Sequence, residues 1–222
     1  MPQPAVTRVV EDYVTVIWKA FEWPGGVPTT TDIAAQLGVT PSTVSTTLRK
    51  LAREGFIEYE PYGAITLTEV GRAIAVKIVR RHRILETYLV RALDVPWDEV
   101  HDEADRLEHA VSDAVLDRMD RALGRPDRDP HGDPIPDAAG TVAVDGDQFL
   151  TDTAPGTEVR VTRVSDRSSE LLRYFQSLGL AVGTALRVDQ VNTAADTVHI
   201  TVDGAAVHLS GLSASAIRVA PQ

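Results

Sequence analysis

Two short stretches of the chain concentrate side chains that bind cations. His101, Asp105, Glu108 and His109 fall within nine residues. On a helix advancing about 100° per residue, Asp105 lies about 40° from His101, Glu108 about 20° to the other side and His109 about 80° away, so all four share one face. Val100, Ala104, Leu107 and Val111 form an apolar stripe beside that face, which predicts half-buried ligands. Upstream, His82 and Glu86 are an i, i+4 pair inside the apolar stripe of Ile74, Ile78, Leu85 and Leu89. A carboxylate in that position needs a partner. Asp12 sits at the edge of the apolar face of a first helix, one turn from Val9 and Val16, placed to approach the same region. Histidine and carboxylate without sulfur is a hard donor set, suited to Mn²⁺ or Fe²⁺, although Zn²⁺ and Co²⁺ also bind such sites in vitro.

Other chemistries use the same residue types. A metallohydrolase would activate water with such a cluster, but HExxH is absent and no substrate pocket is evident beside the spare carboxylates. A solvated helix face laced with ion pairs is common for any one of these residues. The facing of six or seven of them from three helices favours a metal site, and no enzymatic activity is expected.

The elements that must position these residues are mostly helical. Apolar spacing predicts a helix from Ala5 to about Phe21, ended at Trp23-Pro24-Gly25-Gly26. Residues 31–53 read as helix, glycine turn, helix: Gly38 stops the first, and Thr40 caps the second with Pro41 in its first turn. Gly55 ends that helix, and Phe56–Glu60, the turn Pro61-Tyr62-Gly63 and Ala64–Thr68 make a hairpin. A long helix is predicted from about Glu69 to Leu93 and another from Trp97 to about Leu123. Residues 125–140, RPDRDPHGDPIPDAAG, read as a linker or extended loop. Beyond it, strands at Gly156–Val164, Leu186–Val191, Val198–Val202 and Ala206–Leu209, with a short helix at Ser168–Leu178, predict a small barrel-like β domain. The expected division is 1–72, 73–140 and 141–222. His131, His199 and His208 are read as structural or solvent-exposed.

The helix, glycine turn, second helix and two-stranded wing describe a winged helix-turn-helix, whose second helix enters the major groove. Ser42, Thr43, Ser45 and Thr46 in its first turns carry hydroxyls that suit base edges or phosphates, and Thr31 is placed with them as a DNA contact. Arg49, Lys50 and Arg53 follow where phosphate contacts are natural. Val44, Leu48 and Leu51 face inward. A tri-helical packing unit without DNA is the alternative, since hydroxyls at a helix start are also ordinary caps.

Composition bounds the rest. With 22 Lys+Arg against 32 Asp+Glu the formal charge is -10, which argues against bulk coating of nucleic acid while permitting a local basic patch. The absence of cysteine excludes disulfides, thiolate metal sites, iron–sulfur clusters and cysteine nucleophiles. A mean hydropathy of -0.08 and 43% hydrophobic residues describe a globular chain. The N-terminal apolar run carries Arg8, Glu11 and Asp12 and does not read as a signal peptide, and no apolar stretch is long enough to span a bilayer, so the cytoplasm is the expected location and no membrane partner is expected.

Four segments, VEDYVTVIW, LGVTPSTVSTTLRKLAREGFIEYE, LTEVGRAIAVKIVRRHRILETYL and VHDEADRLEHAVSDAV, resemble the diphtheria toxin repressor family of metal-dependent transcriptional regulators, as do the GDPIP linker and the C-terminal region. The resemblance implies a mainly α chain: winged helix-turn-helix, helical dimerisation and metal-binding domain, and a C-terminal SH3-like (FeoA-like) β-barrel. It implies a homodimer set by divalent metal to match a palindromic operator in double-stranded DNA, with two ions per subunit and no small organic ligand. By position, His82, Glu86 and His101 match the family's ancillary site, and Asp12, Asp105, Glu108 and His109 its primary, regulatory site. Iron-sensing members carry methionine and cysteine where Asp12 and Asp105 stand here, so the chain looks like the manganese-sensing, MntR-like branch, with Mn²⁺ as corepressor and Fe²⁺ the alternative. Iron-type members also recruit ancillary ligands from the C-terminal domain, where Glu170 is the candidate.

Overall fold

The computed structural model describes residues 6–23, 26–60, 63–143 and 146–222. They form two compact units, one of residues 1–81 with 136–141 and one of 82–135 with 142–222.

In the first unit, α1 (Arg8–Ala20) starts at Thr7, whose side chain accepts from the Val10 N–H, and buries Val10, Tyr13, Val14 and Ile17. Helix α2 (Thr30–Leu37) opens on a capping box between Thr29 and Asp32. It ends at Gly38, whose φ of 64° is the left-handed conformation that a residue without Cβ adopts at least cost. Helix α3 (Pro41–Arg53) follows with Thr40 as its cap and buries Val44, Leu48 and Leu51. Strands β1 (Ile57–Tyr59) and β2 (Ile65–Leu67) pair antiparallel with Ile57 opposite Leu67. Of the expected turn residues, Pro24, Gly25, Pro61 and Tyr62 lie outside the described residues.

Helix α4 (Glu69–Leu93) runs through the boundary between the units. Residues 81–87 are all buried, including Arg81, His82, Arg83, Glu86 and Thr87. Polar side chains buried in such number must find partners.

In the second unit the helix expected over 97–123 is two. Helix α5 (Val100–Leu107) stops near Glu108, and α6 (Asp113–Ala122) restarts at Ser112, whose hydroxyl accepts from the Val115 N–H at 3.3 Å. The apolar rhythm continues across the break, but the serine offers the backbone a new start. Ile84, Leu85, Ala104, Leu116 and Ile135 form the core under these helices.

The C-terminal part of this unit adds β3 (Gln148–Phe149), the 3₁₀ turn Leu150–Asp152, β4 (Glu158–Val164), α7 (Ser169–Ser177), β5 (Ala185–Asn192), β6 (Thr197–Val202), β7 (Ala205–Ser210), α8 (Gly211–Ala214) and β8 (Ile217–Pro221). The sheet order is β3-β8-β4-β5-β6-β7. The expected barrel is therefore corrected to an open six-stranded sheet. Among the described residues its edges β3 and β7 do not pair, and β3 with two residues is too short to close it. Alternation along β6 turns Val198, Ile200 and Val202 into a core with Leu172 and Phe175 of α7.

Candidate functional site

The metal-binding candidates of the second unit come together around His82. Its Nδ1 lies 2.7 Å from Glu108 Oε2 and 3.2 Å from Asp105 Oδ1, while its Nε2 lies 2.9 Å from Glu86 Oε1 and 3.1 Å from His101 Nδ1. The i, i+4 spacing on α4 puts His82 and Glu86 on one face, and α5 brings His101 and Asp105 to them. His101 Nδ1 is also 3.2 Å from Glu86 Oε1 and 3.1 Å from Asp166 Oδ2. His109 Nε2, half-buried, lies 3.3 Å from Glu108 Oε1. Two donor groups thus share one imidazole, His82-Asp105-Glu108 and His82-Glu86-His101-Asp166, each with its ligand atoms within 4.8 Å of one another.

Two features differ from the sequence reading. Glu170 is exposed on the first turn of α7 and stands in neither group; the acid beside His101 is Asp166, just after β4 and buried. The stretch from Ser165 to Glu170 offers two acids, and the strand end that selects between them is set by sheet pairing far away in sequence.

The second feature is the segment expected to be a linker. Asp129 and residues 131–135 are buried, with Pro130 half-buried. Gly132 makes this approach possible: a Cβ there would meet the Thr162 carbonyl oxygen at 2.0 Å, and φ is +85°. The Val164 N–H donates to the His131 carbonyl at 2.9 Å. Arg83 lies 3.6 Å from Asp129 and 3.4 Å from Asp133, and Arg163 Nε donates to Asp133 at 2.6 Å. This seats His131 with Nε2 2.7 Å from the Trp97 carbonyl and Nδ1 3.8 Å from Glu86 Oε2. Glu86, Asp129 and His131 form a third donor group, fully buried. The Asp-Pro-His-Gly-Asp run was the only signal in the sequence, and it reads equally as a turn.

Electrostatics follow this packing. Burial opposes charge on His131, but the facing carboxylate of Glu86, then Asp129 and Asp166, raise it from 6.5 to about 10. Burial likewise opposes charge on Glu86, yet the charge of His82, the hydrogen bonds of His101 and His82 and the facing imidazole of His131 hold it well below 4.5. Asp129 is pushed well above 3.8 by burial, then by Asp133 and Glu86. Among the described residues, buried Glu86 Oε2, Asp129 Oδ2 and His131 Nδ1 make no hydrogen bond. The two buried carboxylate oxygens in that state, beside an all-oxygen and nitrogen donor set, fit a hard divalent cation.

In the first unit, Asp12 is half-buried on α1, 4.0 Å from Arg8. On α3, Ser42, Thr43, Thr46, Arg49 and Lys50 are exposed, as is Thr31 on α2, while Ser45 is half-buried. The Thr46 hydroxyl donates to the Ser42 carbonyl at 3.0 Å, leaving its lone pairs and methyl outward, and Lys50 lies 3.8 Å from Glu54.

A winged helix-turn-helix unit together with a buried His/carboxylate centre describes a metal-dependent DNA-binding regulator. Residues 5–65 match the family described as "Iron dependent repressor, N-terminal DNA binding domain", residues 68–137 "Iron dependent repressor, metal binding and dimerisation domain" and residues 149–221 the FeoA domain. The chain is 32% identical over 220 residues to the diphtheria toxin repressor of Corynebacterium efficiens, covering 94% of each. It is 38% identical over 126 residues to the iron-dependent repressor IdeR of Mycobacterium tuberculosis, covering 57% of this chain and 54% of the relative. Among solved structures, a manganese-dependent transcriptional repressor in complex with manganese matches with a TM-score of 0.90 at 44% identity, covering 96% of this chain and all (100%) of that one. IdeR of T. acidophilum matches with 0.86 at 30%, covering 99% and 100%. The chain belongs to the diphtheria toxin repressor family of metal-dependent transcriptional repressors. Among the described residues no helix is long and apolar enough to cross a membrane.

Proposed function

We propose that this repressor senses manganese and controls genes of manganese homeostasis, with Mn²⁺ as corepressor. The observation that carries this is the donor set around His82: imidazole and carboxylate only, in a chain without cysteine. Likeness to a manganese-dependent repressor supports it. Iron(II) is the second reading, favoured by the identity to iron-dependent IdeR and compatible with the same donors.

His82, Glu86, His101 and Asp166 would hold one ion, and Asp105, Glu108 and His109, with Asp12 by family position, a second. Bound metal supplies the positive charge that lets these carboxylates converge without repulsion. Glu86 divides its oxygens between His82 and His101 on one side and His131 on the other, so the ligands are oriented from both α5 and the 129–135 loop. We read residues 1–72 as the DNA-binding domain, 73–140 as the dimerisation and metal-binding domain and 141–222 as a bracing domain. Two copies would place their α3 helices on a palindromic operator, with Ser42, Thr43 and Thr46 at base edges and Arg49 and Lys50 on phosphates. Ser45, half-buried, has less to offer. A ligand that favours the DNA-competent conformation raises operator affinity by its coupling factor, typically about 5- to 150-fold for ~1–3 kcal/mol.

Selection from a random duplex library, run anaerobically with Mn²⁺, with Fe²⁺ and with chelator, tests this. A palindrome enriched only with metal, most strongly with Mn²⁺, is expected. Preference for Fe²⁺ supports the iron reading, and equal enrichment with chelator removes the corepressor role.

A further inference from the structure

Four of the six histidines stand in or beside the buried centre; the other two meet across β6 and β7. His199 on β6 and His208 on β7 are directly opposed in the antiparallel register. Their rings stack with centroids 4.1 Å apart and an interplanar angle of 14°. The flanking residues Val198, Ile200 and Leu209 point into the core, so both imidazoles lie on the outer face, His208 exposed and His199 half-buried. Among the described residues neither ring has a hydrogen bond or ion pair to a protein group. The acid on that side, Asp189, is occupied by Arg187 at 2.9 Å and by Thr201 at 2.7 Å.

We propose that His199 and His208 form a second cation site, for a divalent late first-row ion of the kind imidazole prefers: Zn²⁺, Cu²⁺ or Ni²⁺. Two imidazoles bound at about 2.0–2.1 Å to a tetrahedral ion hold their nitrogens about 3.4 Å apart, and a linear arrangement about 4.2 Å. With centroids 4.1 Å apart and planes nearly parallel, the ring nitrogens point alongside one another, and rotation about the broad second torsion of histidine turns the two planes together so that one nitrogen of each converges on the ion. The two strands hold the pair on paired backbone, so little ordering is left for the ion to impose. Gln190 on β5 is the register partner of His199, exposed on the same face, and brings an amide oxygen to the row. The remaining positions are open to water. Imidazole-dominated and lacking a carboxylate ligand, the site selects ions that the hard buried centre does not discriminate by ligand type.

The test counts Zn²⁺ equivalents on the full chain at neutral pH by competition with a chromophoric chelator, for wild type, His199→Gln and His208→Gln. Mn²⁺ equivalents are counted in parallel by electron paramagnetic resonance. Wild type should bind one more Zn²⁺ than either variant, the residual affinity falling roughly a hundred-fold when a two-ligand chelate loses one arm. Mn²⁺ equivalents should be the same in all three, which shows that each variant is folded. Equal Zn²⁺ counts in all three chains overturn the site, and loss in only one variant overturns the two-histidine assignment.

Discussion

The buried ion chain that seats the 129–135 loop makes a sharp prediction. Asp133 is 2% exposed, receives the Arg163 guanidinium at 2.6 Å and lies 3.4 Å from Arg83, itself 1% exposed. Replacing Asp133 by Ala removes the carboxylate that two buried guanidinium groups share. Removing one partner of a buried ion pair costs about 3–5 kcal/mol. For a unit of this size, roughly 4 °C of melting temperature per kcal/mol gives a fall of about 12–20 °C. Scanning calorimetry of the metal-free chain measures it. Asp133→Leu combined with Arg163→Met, which removes charge in a pair, should recover most of the loss, because well-packed apolar replacements of buried pairs are often neutral. Asp117→Ala, which removes an ion pair more than half exposed on both sides, should change nothing measurable. A loss below about 1 kcal/mol for Asp133→Ala, within the range of exposed pairs, would refute the reasoning.

Three other outcomes follow from the same geometry. His131 is raised from 6.5 to about 10 in the folded chain, so its stabilisation is complete below its unfolded value and lost as pH rises towards about 10. In chelator the melting temperature should fall over that window, and His131→Gln should flatten the fall; Glu86, held low, adds stability that disappears as pH drops below 4.5. Asp166→Ala should weaken Mn²⁺ binding measured by electron paramagnetic resonance, roughly ten- to a hundred-fold, whereas Glu170→Ala should leave it unchanged. Arg49→Ala should weaken operator binding evenly across sequences and lower the slope of log affinity against log salt by about 1 in fluorescence anisotropy titrations.

How much of this was legible in the sequence depended on how local the signal was. Helix α3 is announced by Thr40 and Pro41 at its start and Gly55 beyond its end, and α4 by its apolar stripe; both appear over the expected residues. The pairing of His82 with Glu86 and the approach of His101, Asp105 and Glu108 were visible as helical spacing. The break at Ser112 was hidden because Leu107, Val111 and Leu116 keep the apolar rhythm across it, while a single serine cap redirects the backbone. Residues 129–135 look like a linker because proline, aspartate and glycine dominate them. Their burial depends on counter-charges from Arg83 and Arg163, separated from them by tens of residues. The terminal strand β8 has no alternation long enough to read alone and is specified by its pairing with β4.

Metal-driven DNA binding through the His82 centre is the central claim, and the direct measurement is anisotropy of a labelled operator duplex, found by the selection above, against Mn²⁺ concentration. Wild type and Asp105→Ala are compared at one salt concentration, with circular dichroism to show both folded. Asp105 is more than half exposed, so its loss should spare the fold while removing a carboxylate 3.2 Å from His82. Wild type is expected to bind in a metal-dependent manner, and Asp105→Ala not at all at the Mn²⁺ concentration that saturates wild type. Identical binding curves for the two chains, or wild-type binding undiminished in chelator, would contradict it.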